Sequence, residues 1–174
     1  MKKERVSVRR IAVYGLLLAL SLVLSYVEGL IPVNLGAPGA KLGLPNIVTM
    51  LALYCAGGVP AFLLGLLRIV LVGLSFGNPF AMFYSFCGFL LSFLGMLFLK
   101  RTGSLGIVAV SAAGGVLHNL GQLFCAAWLL KTRYIFTYLI LLFPLGVLSG
   151  LFIGLLGGML TKRLRRGILN EGIL

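Results

Sequence analysis

The chain has 174 residues, of which 60% are hydrophobic and 10% charged, and its mean hydropathy is +1.13. A water-soluble domain of this size has too little interior to hide that much apolar surface, so the composition requires an integral membrane protein with one domain. Fifteen Lys and Arg against three acids give +12. The basic residues flank apolar runs with no basic-aromatic stacking surface beside them, which points to lipid headgroups and excludes nucleic acid.

The basic segment 1–10 is followed by a first span over Ile11–Leu30. That run is too long for a signal-peptide core and lacks a small-residue cleavage site, so it reads as a retained helix. Residues 31–41 form a loop, broken repeatedly by Pro and Gly. From Leu42 to Ser75 only Arg68 is charged. This stretch is too long for one span of ~20 residues, and Gly57-Gly58-Val59-Pro60 divides it in two. Gly77-Asn78-Pro79 is a turn, Phe80–Leu99 the fourth span, Lys100–Ser104 a basic loop and Leu105–Leu130 the fifth span. After Lys131–Tyr134 comes a sixth span, Ile135–Leu160, and then a basic tail over 162–174.

Charge placement selects six spans over five. With six, and with both termini in the cytoplasm, eleven basic residues lie inside and three outside (Lys41, Lys131, Arg133). If Gly57-Gly58 were only a kink, the two sides would hold seven each. The positive-inside rule favours the first arrangement. The expected fold is therefore an all-α bundle of six transmembrane helices over 11–161, in a bacterial cytoplasmic membrane.

Small residues mark the packing faces. Gly146, Gly150, Gly154 and Gly158 recur every four residues along the last span. Ser85, Gly88, Ser92 and Gly95 line the fourth, and Ala12, Gly15 and Ala19 the first. Such faces let helix backbones approach closely in lipid. Cys55, Cys87 and Cys125 fall in apolar runs without ligand spacing and read as small hydrophobes. Trp128 and Tyr84 are either interfacial aromatics or pocket walls.

Several chemistries are excluded by what is missing. There is no aspartate, and three scattered glutamates cannot cluster to hold Mg²⁺ against a diphosphate. No P-loop is present. One histidine without a helical carboxylate or thiol neighbour makes no metal site, and no serine sits in a nucleophile elbow. The expectation is a chain that is not an enzyme and holds no cofactor of its own.

The polar residues at membrane depth are therefore the candidates. His118 is the only histidine. At ~100° per residue it shares a helix face with Gln122, while Asn119 lies on its shoulder. These groups either line a cavity or fasten neighbouring helices, and we read them as lining a cavity. Glu28 is the only acid within the apolar runs, and Arg68 lies mid-span in the third helix. They either pair with each other or leave Arg68 to meet an anionic solute. Asn34, Lys41 and Asn46 flank the second span. Asn78, before Pro79, is a ligand candidate or a helix cap.

Three segments, Lys41-Leu42-Gly43-Leu44-Pro45-Asn46-Ile47-Val48-Thr49, Leu74-Ser75-Phe76-Gly77-Asn78 and Gly114-Gly115-Val116-Leu117-His118-Asn119-Leu120-Gly121-Gln122, resemble the Gx transporter family, often labelled heptaprenyl diphosphate synthase component I. The likeness runs over nearly the whole chain, and Pro45 departs from the family's K-L-G-L-A-N form. That family is similar to the S components of energy-coupling-factor vitamin transporters. The resemblance implies a solute pocket involving Lys41, Asn46, His118, Asn119 and Gln122. It also implies a docking face at Ala12, Gly15 and Ala19 for a membrane scaffold subunit that works with ATPase subunits. Some members are linked to flavin- or quinone-dependent electron transfer. The expected function is capture and translocation of a small vitamin- or cofactor-like solute. The alternatives are a non-transporting scaffold for an electron-transfer partner and, third, an accessory subunit of polyprenyl diphosphate synthesis.

Overall fold

The computed structural model describes residues 8–30 and 43–170, with side chains as far as Leu164. Most of the described residues are helical: α1 (Val8–Leu30), α2 (Asn46–Cys55), α3 (Gly58–Ser75), α4 (Pro79–Thr102), α5 (Ile107–Leu130) and α6 (Leu139–Asn170). A 3-10 turn at Tyr134–Tyr138 leads into α6. Five of these helices are long and apolar enough to cross a membrane.

The second predicted span is the exception. Its ten residues rise about 15 Å, half of a ~30 Å hydrocarbon core. Gly43, at φ +76°, and Pro45 occupy the approach to α2, and Gly57, at φ +100°, follows it. Glycine holds such positive angles without strain, so the helix is bounded by backbone shape at both ends. The sixth span also differs from the expected bounds. It begins after the 3-10 turn and continues as helix through the basic tail to Asn170.

Gly57 reverses the chain. The leading end of α2 (Gly43, Asn46) shares a cavity with the trailing end of α3 (Arg68 to Gly77). The trailing end of α2 meets the trailing end of α4. There Lys100 Nζ donates to the Leu53 carbonyl and lies 4.9 Å from the Tyr54 ring centroid. Successive helices therefore alternate in direction. Arg9, Arg10, Lys100, Arg101, Lys162 and Arg163 gather at one end of the bundle, and Lys131 and Arg133 lie at the other.

The ring of helices runs α3, α4, α5, α6 and back through α2, with α1 outside against α3 and α2. Only Ser21 and Glu28 of α1 are buried. Ala12, Gly15 and Ala19 are exposed, and a Cβ on Gly15 would meet nothing within 4 Å. Between α5 and α6 the backbones nearly touch. A Cβ on Gly150 would sit 2.5 Å from the Ser111 carbonyl oxygen, and one on Gly154 2.8 Å from Val108 Cα. Gly121 opens the other flank of α5, where a Cβ would lie 2.6 Å from the Cys87 carbonyl oxygen.

The half of the bundle toward the basic end holds the larger apolar cluster. Ala52, Leu53, Leu64, Phe93 and Met96 are buried there. Phe62 packs against Phe89 and Phe93 at centroid separations of 5.7 and 5.4 Å. Exposed apolar side chains such as Leu16, Leu74, Phe98 and Ile140 face the position of lipid.

These contacts predict unequal costs for equal changes. Gly150→Ala forces two backbones apart and should destabilise the protein by about 1–3 kcal/mol, the usual cost of overpacking. Gly15→Ala should leave stability within ~0.5 kcal/mol, as expected for an open surface position. Unfolding of both variants in the same detergent measures the difference.

Candidate functional site

α5 is the axis of the site. Gly114, Gly115 and Gly121 have no side chain to hold α4 and α6 away, so the helix nests between them. That depth turns His118, Asn119 and Gln122 toward the bundle interior. On α4, Gly88 leaves the space they need. A Cβ there would lie 2.8 Å from Gln122 Cγ and 3.0 Å from the His118 ring.

The result is a cavity of about 180 Å³ in the half of the bundle away from the basic end. Six of the eight sequence-derived binding candidates line it: Glu28 from α1, Asn46 from α2, Arg68 from α3, and His118, Asn119 and Gln122 from α5. A smaller space of about 30 Å³ shares Gly43, Asn46, His118 and Asn119 with it and continues inward past Ser92, Ser111 and Ser149. It is large enough for a water molecule.

The polar groups divide into committed and uncommitted ones. Glu28 Oε1 accepts from the Gly43 N–H and, at 3.3 Å, from the Leu44 N–H. The carboxylate thereby ties α1 to the approach to α2. Asn119 Nδ2 donates to the Leu142 carbonyl at 2.7 Å, so this amide does fasten two helices. Ser92 Oγ donates to the Gly114 carbonyl at 2.8 Å, holding α4 to α5. Gln122 is buried, yet no hydrogen bond joins it to another described residue. Arg68 is 9% exposed, and its Nε has no hydrogen-bond partner among the described residues.

The remaining candidates lie elsewhere. Asn78 does not line the cavity. Its Oδ1 accepts from the Ala81 N–H at 2.8 Å, capping α4 with Pro79 in the first turn. Lys41 and Asn34 lie outside the described residues. Trp128 is exposed beside Phe83 and away from the cavity. Sequence reasoning did not single out Ser25 or the apolar wall of Ile69, Val72 and Met82. Ser25 stands three residues before Glu28 on the same helix face, a signal that was present. The wall residues look like any others in an apolar helix.

Fold and cavity together define a multi-pass helical membrane protein with a polar chamber in one half of its bundle. The family described as Heptaprenyl diphosphate synthase component I matches residues 17–160, and the chain belongs to that family. A search of curated proteins gave no match, and a search of solved structures gave none.

The Glu28 contacts carry a prediction of their own. Glu28→Ala leaves the Gly43 and Leu44 N–H groups unpaired and should cost about 1–3 kcal/mol. Hydrogen exchange at residues 43–46 should quicken while exchange in α5 stays unchanged.

Proposed function

We propose that the protein is a membrane-embedded subunit that binds a small vitamin- or cofactor-like solute and passes it across the membrane, energised by separate partner subunits. The basic end of the bundle faces the cytoplasm, as the positive-inside rule requires, with both termini there. The chamber then lies in the outer half, and α2 is a half-length sixth element of the transmembrane domain. The observation that carries this reading is the buried cavity in which Gln122 and Arg68 present polar atoms uncommitted to other described residues. Side chains serving only as fasteners would be engaged, as Asn119 is.

Solute capture falls to Arg68, His118, Gln122 and Asn46, with Asn119 fixed in place by α6. Lys41 joins them on the strength of the family resemblance alone. The exposed face of α1 at Ala12, Gly15 and Ala19 suits close docking of a scaffold helix, which would couple the subunit to an ATPase. The chain itself performs no catalysis in this reading, since its sequence lacks the carboxylates that a diphosphate–Mg²⁺ site needs.

The family's description supports a second reading, an accessory subunit of polyprenyl diphosphate synthesis, and the α1 face would also suit a scaffold for an electron-transfer partner. Mass spectrometry of the small molecule retained through purification separates these. The transport reading expects a stoichiometric solute that raises Tm when added back, among riboflavin, other vitamins and short quinones. His118→Ala and Gln122→Ala should each lose most of that shift. Asn78→Ala should lower Tm through the lost cap, by an amount equivalent to about 1 kcal/mol, and keep the ligand shift. Absence of any retained or stabilising solute, together with stoichiometric capture of a partner protein, overturns the transport reading in favour of a scaffold.

A further inference from the structure

Arg68 sits in the cavity with nine-tenths of its surface buried, and its Nε has no hydrogen-bond partner among the described residues. A guanidinium stays charged under any ordinary condition. Charge at this depth in a membrane is costly even with the Glu28 carboxylate acting on it, and the cost falls when an oxyanion takes two of the guanidinium N–H groups at once, the unbonded Nε among them. The one carboxylate lining the same cavity is Glu28, and its Oε1 accepts from the N–H groups of Gly43 and Leu44.

Two further features narrow what fits. Glu28 places a negative charge in the chamber, which disfavours a dianion such as a phosphate monoester and leaves a monoanion as the best complement. The volume is about 180 Å³, little more than an apolar protein cavity of ~150 Å³ that takes up benzene. The walls suit one ring. Ile69, Val72 and Met82 supply apolar surface, and Gln122 supplies an amide for a ring heteroatom or substituent.

Resting on the solute-binding reading above, we infer that the chamber takes the carboxylate of a single-ring organic acid, or a single-ring carboxylate portion of a larger solute, with Arg68 as its charge anchor. The carboxylate docks side-on across Nε and a terminal nitrogen of the guanidinium. That gives the orphaned Nε its partner.

The test uses the full chain in detergent or nanodiscs, with benzoate, nicotinate, their neutral amides benzamide and nicotinamide, phenyl phosphate and riboflavin as probes. Binding is read by thermal shift and calorimetry. The acids should bind the native protein at least about tenfold more tightly than their amides, and more tightly than phenyl phosphate. Arg68→Gln should abolish that preference, and Arg68→Lys, which keeps the charge without the fork, should restore only part of it. Circular dichroism and the Tm of ligand-free Arg68→Gln establish that the variant is folded. If it is not, the acid-to-amide ratio in Arg68→Lys and in the native protein decides alone. Amides or riboflavin binding as well as the acids, with or without Arg68, overturn the anchor and leave the solute-binding reading intact. Tighter binding of phenyl phosphate overturns the monoanion. No binding by any probe, with no solute retained through purification, overturns the anchor and the reading together.

Discussion

Close approach of α5 to α6 and α4 is the constraint on which the rest of this protein depends. In hydrocarbon no water is expelled when two apolar helices meet, so association rests on dispersion contacts that need short distances. Glycine is what makes those distances available. At Gly150 and Gly121 an added Cβ would land 2.5 and 2.6 Å from a neighbouring carbonyl oxygen. Wider separation would forfeit contact along three helices, and it would also turn His118 and Gln122 from cavity walls into lipid-facing liabilities.

The same seam decides where polarity can be tolerated. Toward the basic end, Phe62, Phe89 and Phe93 interlock. Toward the other end the packing gives way to a space walled by an arginine, a glutamate, a histidine and three carboxamides. Neighbouring backbone takes up part of that polarity: Glu28 is held by Gly43 and Leu44, Asn119 by Leu142. Polar groups in an apolar medium find partners wherever geometry permits. Arg68 Nε and the Gln122 amide are thus informative because partners were found for the groups around them.

Much of this was legible in the sequence, for reasons that differ by element. The long helices announce themselves because a bilayer demands ~20 consecutive apolar residues. The reversal at Gly57-Gly58 followed from charge counting, and the antiparallel α2 and α3 agree with it. The shortness of α2 was hidden, because Leu42 to Cys55 carries no charge and is mostly apolar, and no hydropathy window distinguishes half a span from a whole one. Arg68 and Glu28 stood out as charges where none should be, yet spacing could not reveal whether they paired. Glu28 acts electrostatically on Arg68 and also accepts from a pair of backbone N–H groups, which have no signature in side-chain order. Asn78 shows the converse difficulty. A cap and a ligand-binding amide are the same residue before a proline, and only the accepted bond from Ala81 separates them.

The asymmetry of the bundle also constrains how a solute could move through it. The chamber is bounded below by the aromatic block and by α2, whose trailing end is pinned through Lys100 to Leu53. Passage toward the basic end requires this block to part, or the whole bundle to turn so that the chamber faces the other way. Parting is the costlier route, since it exposes Phe89, Phe93 and Leu53 and breaks a half-buried charge-assisted hydrogen bond. Turning leaves internal contacts untouched, and it needs an external surface on which force can act. α1 is suited to that role. It stands outside the ring, buries little of itself, and bears a smooth small-residue face, while its far end is tied by Glu28 to the rim of the chamber. A push on α1 would therefore reach the chamber both through Glu28 and through the packing of α1 on α3, where Tyr26 meets Phe76.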